Sequence, residues 1–342
     1  MAAYISFQPT DFFSPTLYTG TGAENAITGV GFQPDVSWLK SRSAIKNHYL
    51  YDTVRGATKN LAPNDTDIEA TTAQGLKSWQ SDGFTLGTSG GENGSTITYV
   101  SWNWKAGTTS GLSAGTHSVN SYSYNATSGF GIYQYTGDNT AGTITHGLGA
   151  VPKMIITKTL GSAVDWFVYH QSNGAGKYMV LNGTASVGSS TIVWGNTTPT
   201  STVFSLGAGA ETNTSPREYV AYVFADVKGY SKFGTYTGNG STDGQFINTG
   251  FRPAYVLIKK TNGVGSWWVF DNKRLGYNAK NSRVYANDNT AESAVTNIDF
   301  VSNGFKLRTT VGDLNGAGNT IIYAAFAEFP IVSSNSKAGT AR

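Results

Sequence analysis

Two Asp-x-x-Arg pairs, Asp52/Arg55 and Asp271/Arg274, have the residue types and spacing to do chemistry. An arginine fork binds carboxylates and hydroxyls in a two-point geometry, so each pair could clamp an anion or a sugar. Each also follows an aromatic stretch, 49–51 or 267–270, where a local ion pair would fasten a strand-end turn; recurrence favours that reading, as such pairs are common and weak. A second set, Asp65-x-Asp67-x-Glu69, spaces three carboxylates as a calcium loop could. It lacks the sharp-turn glycine of an EF-hand loop, and Asp65 capping a helix whose first turn carries the acids is the competing reading. Trp102 and Trp104 alternate and so face one side, whereas the adjacent Trp267 and Trp268 face opposite sides of a strand. One of that second pair is expected in a core and the other exposed, as a stacking surface for sugars or an interface anchor; burial of both under loops is the favoured alternative. Lys40, Lys158 and Lys259 each end an apolar segment and read as solvated strand ends or edge gatekeepers. His48 lies near Asp52 without an evident nucleophile, and His117 and His146 sit in loop-like contexts. No Gly-x-Ser-x-Gly elbow, P-loop or His-Glu-x-x-His is present. No catalytic residue and no cofactor site is assigned, and the chain reads as non-enzymatic.

The elements that hold these residues recur three times. Tyr-Thr-Gly stands at Tyr18, Tyr135 and Tyr236. After each comes a short apolar segment, 31–40, 147–158 or 250–259, then a late Phe-x-Leu at Phe84, Phe204 and Phe305, and a closing aromatic run at 99–104, 219–224 and 321–326. A period near one hundred residues is too long for a solenoid and suits a small independent domain. Apolar runs such as 154–156 and 255–258 are bounded by Gly, Asn or Pro, and Asn-Gly turn signals recur at Asn93, Asn182, Asn239, Asn262 and Asn303. Only 62–80 has a helical pattern. The expected fold is all-β: three tandem antiparallel jelly-roll-like β-sandwich domains of about one hundred residues with an N-terminal arm. The expected boundaries are an arm at 1–15, repeats at 16–106, 130–228 and 231–330, a Gly/Thr/Ser/Asn-rich linker at 107–129, and a tail at 331–342.

Composition narrows the function classes. Of 342 residues 42 are glycine, 13% are charged and 13% aromatic, with a net charge of +3. Near neutrality argues against a nucleic-acid binder that relies on a broad basic surface and against a polybasic membrane anchor. The aromatic content argues against disorder. The absence of cysteine excludes disulfides, thiolate catalysis and iron–sulfur clusters. The longest apolar run, 321–327, is far short of a membrane span, and the first residues carry neither a basic nor a long apolar leader region, so no secretory signal is expected.

The first repeat carries Tyr18-Thr19-Gly20, Gly31-Phe32-Gln33-Pro34-Asp35, Trp38-Leu39-Lys40, Asp52-Thr53-Val54-Arg55-Gly56, Ser81-Asp82-Gly83-Phe84 and 100–107. These motifs resemble a concanavalin-A-like (lectin/glucanase-type) β-sandwich domain found in tandem in virion and tail-fibre proteins of marine tailed bacteriophages. The resemblance covers most of repeats one and three; repeat two matches through 166–170 and 178–182 and lacks Asp-x-x-Arg. It implies a structural or adhesive role on the surface of a phage particle and carries no catalytic residues; the Glu-x-Asp-x-x-Glu pattern of jelly-roll glucanases is absent. The implied function is a tail-fibre or receptor-binding component that recognises host surface glycan. The alternatives are a capsid decoration protein and, least favoured, a polysaccharide depolymerase. The arm, with Phe7, Phe12 and Phe13, would dock onto other virion proteins. A homo-oligomer, a trimer by analogy with fibres, is expected, with no nucleic acid and no membrane insertion.

Overall fold

The computed structural model describes residues 5–275 and 278–331. It is all-β, with every named strand pair antiparallel. Three large sheets each draw on one stretch of sequence. The first runs Phe13–Thr19, Thr98–Trp104, Val36–Ser41, Tyr49–Asp52, Lys59–Leu61, Ala70–Thr71. The second runs Val119–Asn125, Phe130–Thr136, Glu218–Ala225, Pro152–Thr159, Phe167–His170, Lys177–Val180, Gly188–Ser189. The third runs Ser231–Thr237, Thr320–Pro330, Phe251–Lys260, Trp267–Asp271, Asn281–Tyr285, Ser293–Val295. Each large sheet faces a small one: Asn25–Ile27, Gly83–Leu86 and Leu76–Gln80; Gly142–Thr145 with Val203–Leu206; and Phe246–Asn248, Gly304–Leu307 and Ile298–Val301.

The long strands are buried along both faces, which is why they read as near-continuous apolar runs. One face packs on the small sheet of its own repeat. Leu39 and Tyr51 meet Phe84 and Leu86, Ile155 and Tyr169 meet Phe204 and Leu206, and Val256 and Ile258 meet Phe305 and Leu307. The other face looks inward, where all three large sheets share one core. Register sets that core in layers. Val36 pairs with Trp104, Met154 with Phe224 and Tyr255 with Phe326; one step along, Trp38 pairs with Trp102, Ile156 with Tyr222 and Leu257 with Ala324. Trp104, Phe224 and Phe326 touch pairwise, with ring centroids 5.6–6.3 Å apart. An apolar cavity of about 40 Å³ lies among these layers.

Three expectations need correction. The 62–80 segment is not helical: it holds Ala70–Thr71 and Leu76–Gln80 joined by turns. Asp65 Oδ1 accepts the Thr66 N–H locally at 2.7 Å, and the segment completes a sheet instead of a helix. The one α-helix among the described residues is the single turn Gly312–Asn315. The stretch 107–129 is not merely a linker, because Val119–Asn125 forms the outer strand of the second sheet. Nor is the arm a free docking element. Phe13 opens the first strand and stacks on Phe326 at 5.1 Å, while Phe7 and Phe12 pack edge-on against Tyr230. These aromatics find their apolar surface within their own chain. Residues 1–4 and the tail beyond 331 lie outside the described residues.

The recurrent Tyr-Thr-Gly has a structural cause. Tyr18, Tyr135 and Tyr236 each donate their hydroxyl, at 2.8 Å, to a backbone carbonyl late in the same repeat: those of Glu92, Thr212 and Leu314. The residue after each carbonyl is a buried asparagine, Asn93, Asn213 or Asn315. Its amide donates to two further carbonyls, and its Oδ1 accepts the N–H of Thr21, Asp138 or Asn239. The chain passes so close here that a Cβ on Gly137 would lie 2.5 Å from the Thr214 carbonyl oxygen. Gly137→Ala is therefore expected to destabilise the protein by about 1–3 kcal/mol in urea unfolding. Gly161→Ala, where a Cβ meets nothing within 4 Å, should be close to neutral; equal effects would show that the close approach does not constrain the fold.

Candidate functional site

The two Asp-x-x-Arg pairs lie on the inner faces of the first and third sheets and are buried. Arg55 Nε meets Asp52 Oδ2 at 2.6 Å, the Arg55 N–H donates to Asp52 Oδ1, and Nη2 reaches back to the Leu50 carbonyl. Arg274 repeats this on Asp271 Oδ2 at 2.5 Å, Asp271 Oδ1 and the Val269 carbonyl. Each carboxylate takes one more donor from another repeat. Tyr222 donates its hydroxyl to Asp52 at 2.6 Å, and Trp102 its indole N–H to Asp271 at 3.0 Å. The Arg274 guanidinium also lies 5.6 Å from the Trp102 ring centroid. Arg274 Nη1 makes no hydrogen bond and lies 3.8 Å from Glu292; through their other contacts the pairs fasten turns and join repeats.

In the second repeat the equivalent position is His170. Its Nδ1 accepts the Ser172 N–H at 3.3 Å, so Nε2 carries the proton and faces the Tyr323 carbonyl of repeat three at 3.3 Å. Burial lowers its pKa to about 4. A second histidine is held in the same way. His48 Nδ1 accepts the Trp38 indole N–H at 2.8 Å, and Nε2 faces the carbonyls of Tyr285 and Asp288 in repeat three; burial, with Lys40 nearby, keeps it well below the usual histidine range. Trp166 and Trp267 occupy the matching places in the other repeats. They donate to the carbonyls of Ala62 and Asp65, and of Val180.

Lys40, Lys158 and Lys259 are not solvated strand ends. All three are buried, and each ammonium bonds carbonyls of its own turn and one carbonyl of another repeat: Asn289, Thr66 and Thr184 respectively. The links run one way around the molecule, from repeat one to three, three to two and two to one. Burial lowers each lysine pKa to about 8.

The aromatic candidates are buried as well. Trp102 and Trp104 share the common core, as their alternation requires. Trp267 and Trp268 point to opposite faces as expected, Trp267 into the common core and Trp268 into the core of repeat three. Neither is exposed, because that sheet is covered on both sides. The calcium candidates do not converge. Asp65 closes its own turn, Glu69 pairs with Arg55 at 3.2 Å and Lys59 at 3.5 Å, and Asp67 is exposed. Among the described residues no three His, Asp or Glu side chains are placed to hold a metal ion, and no helix is long and apolar enough to cross a membrane. Sequence reading missed the buried asparagines. Their signal is a near-constant separation, 74, 77 and 78 residues, between each Tyr-Thr-Gly tyrosine and the carbonyl preceding the asparagine.

These features define an all-β body whose three large sheets close around one core and are joined by polar links from repeat to repeat. The chain belongs to the DUF7483 family, a domain of unknown function whose model matches residues 8–330. That one model spans all three repeats, so the family unit is the whole body and not a single repeat. No curated protein and no solved structure matches the chain.

Two outcomes follow. Asp271→Asn should cost about 3–5 kcal/mol in urea unfolding, because it leaves Arg274 buried without its carboxylate. The double replacement Asp271→Leu/Arg274→Met should recover much of that loss; a double variant as weak as the single would show that the pair is needed for more than charge compensation. The histidines set an acid limit. Their folded pKa values are depressed, so the unfolded chain takes up protons first as pH falls, and stability present above pH 6.5 is lost toward pH 4. For His170 this amounts to about 3 kcal/mol at the acid end. The urea midpoint should fall less steeply between pH 7 and 4.5 in His170→Gln; an unchanged slope would assign the acid lability to other groups.

Proposed function

We propose that this protein is a non-enzymatic structural and adhesive component of a phage particle, a tail-fibre or receptor-binding protein that recognises host surface glycan. Its three repeats are read as jelly-roll-type sandwiches. In support, the first strand of repeat one pairs with its last, and the second, Asn25–Ile27, with the next to last, Gly83–Leu86; such nested pairing is how a jelly roll winds. The observation that carries the functional reading is the fate of the reactive side chains. The paired acids and arginines, the lysines and the large aromatics of the inner faces bond one repeat to another, which makes a rigid body and leaves recognition to the surface between them. The likeness of the repeat motifs to virion domains supplies the setting, and assembly into a trimer is part of the same reading.

A second reading, capsid decoration, draws on a different observation. One chain with a pseudo-three-fold core has the symmetry of a three-fold lattice position. The two readings separate on purified protein and fractionated particles. The adhesin reading expects the protein on tails and saturable attachment of the pure protein to host cells and to glycans on an array. Protein confined to heads, with no attachment by a folded sample, would reject the adhesin and favour decoration. Release of reducing ends from host capsule would overturn both by showing hydrolysis.

A further inference from the structure

The three inner faces are filled unequally. At one register position, opposite Trp38, Ile156 and Leu257, the closing strands carry Trp102, Tyr222 and Ala324. Trp102 and Tyr222 each send a donor to a buried aspartate of another repeat, Asp271 or Asp52. Ala324 lies beside His170, which stands in place of the aspartate and faces the Tyr323 carbonyl. No donor is required there, and the residue is a methyl group where its counterparts are aromatic rings.

The cavity of about 40 Å³ in the shared core is bordered by Ala324, the smallest side chain on its lining. All three repeats contribute to the wall: Trp104 from the first, Met154 and Phe224 from the second, Leu257 and Phe326 from the third. The surface facing the cavity is almost wholly apolar. Three polar ends on the wall are turned to other partners: the Trp38 indole N–H to His48, the Trp166 indole N–H to the Ala62 carbonyl, and the Tyr222 hydroxyl to Asp52. The Trp104 indole N–H has no partner, but one donor falls short of the about two to four bonds that hold a buried water. The layers above and below are already in contact, with the Trp104, Phe224 and Phe326 ring centroids 5.6–6.3 Å apart, so the core is propped open around the gap. Its size exceeds the roughly 10–15 Å³ that one water needs and is well below the roughly 150 Å³ of an apolar cavity that admits benzene.

We propose that the shared core is a dry binding site for one small, polarizable apolar guest, the size of a xenon atom or a diatomic gas. Atoms that line a gap lack dispersion partners on one side, and such a guest restores them without asking for a hydrogen bond. The lining is buried, so the guest enters by local opening of the body. The site arises where the third repeat departs from the other two, and it does not depend on the adhesin reading.

The methionines provide the test. Met154 lines the cavity, whereas Met179 lies in the same core but not on that lining. The full-length protein, isotope-labelled at its methionine methyl groups, is followed by NMR under rising xenon pressure. The expected result is a saturable shift of the Met154 methyl signal and little change at Met179. Ala324→Val fills the space, so it should abolish the saturable shift and raise the melting temperature. Leu257→Ala enlarges the space, so the Met154 response should saturate at lower pressure than in the wild type. Signals of both methionines that move together in proportion to pressure would show unspecific solution of the gas and overturn the proposal. A saturable shift that persists undiminished in folded Ala324→Val would overturn the placement of the site, and magnetisation transfer from water to the Met154 methyl would overturn its dryness. Should Ala324→Val not fold, Leu257→Ala decides: an unchanged or weaker xenon response there overturns the assignment.

Discussion

The inner faces of three sheets must be buried against one another, and most of the structure follows from that requirement. A single repeat has a large sheet covered on one side by two or three short strands. Its other side carries Val36, Trp38, Trp102 and Trp104, or their equivalents, and alone it would expose an apolar patch larger than soluble proteins tolerate. Closing three such faces on one shared core removes the patch. The cost is that polar ends of the inner strands are carried inside, where each must find a partner. No repeat can provide them all, so each borrows carbonyls and donors from its neighbours. Lys40, Lys158 and Lys259, with His48, Trp166 and Trp267, are those borrowings.

This arrangement separates stability from recognition. Residues that would draw attention in a linear reading are locked at interfaces between repeats, where changing them disturbs assembly of the body. Three-fold repetition also makes deviations informative. The seventh strand is one such deviation, since nothing in the closure of the core calls for it, and it forms one wall of a polar cleft.

The strands were legible in the sequence because alternation and turn signals are local. So was the opposite orientation of Trp267 and Trp268, which follows from the pleat alone. What covers each face was not legible. Alternation says which side a tryptophan takes, not whether a sheet from 169 residues away lies over it, as at Trp102 and Asp271. The lysines were misread for the same reason: a cation at a strand end looks solvated until another repeat places a carbonyl beside it. The 62–80 segment failed differently. Its acids suit a helix start, but Glu69 is drawn to Arg55 and Lys59, and the chain there completes the first sheet.

The loss of Asp-x-x-Arg from repeat two has a physical account in the same core. The buried aspartate occurs where the facing strand of another repeat supplies a side-chain donor: Tyr222 for Asp52 and Trp102 for Asp271. Repeat two faces the last strand of repeat three, whose matching residue is Ala324, and a methyl group cannot donate. A carboxylate there would lack one of the bonds that make its burial tolerable. His170 reverses the polarity of the link: a neutral imidazole donates outward to the Tyr323 carbonyl and uses its other nitrogen to hold the turn at Ser172. The acid pair and the histidine are thus alternative solutions to one constraint, chosen by what the neighbouring strand can offer, and the motif's absence from one repeat is not the loss of a ligand site.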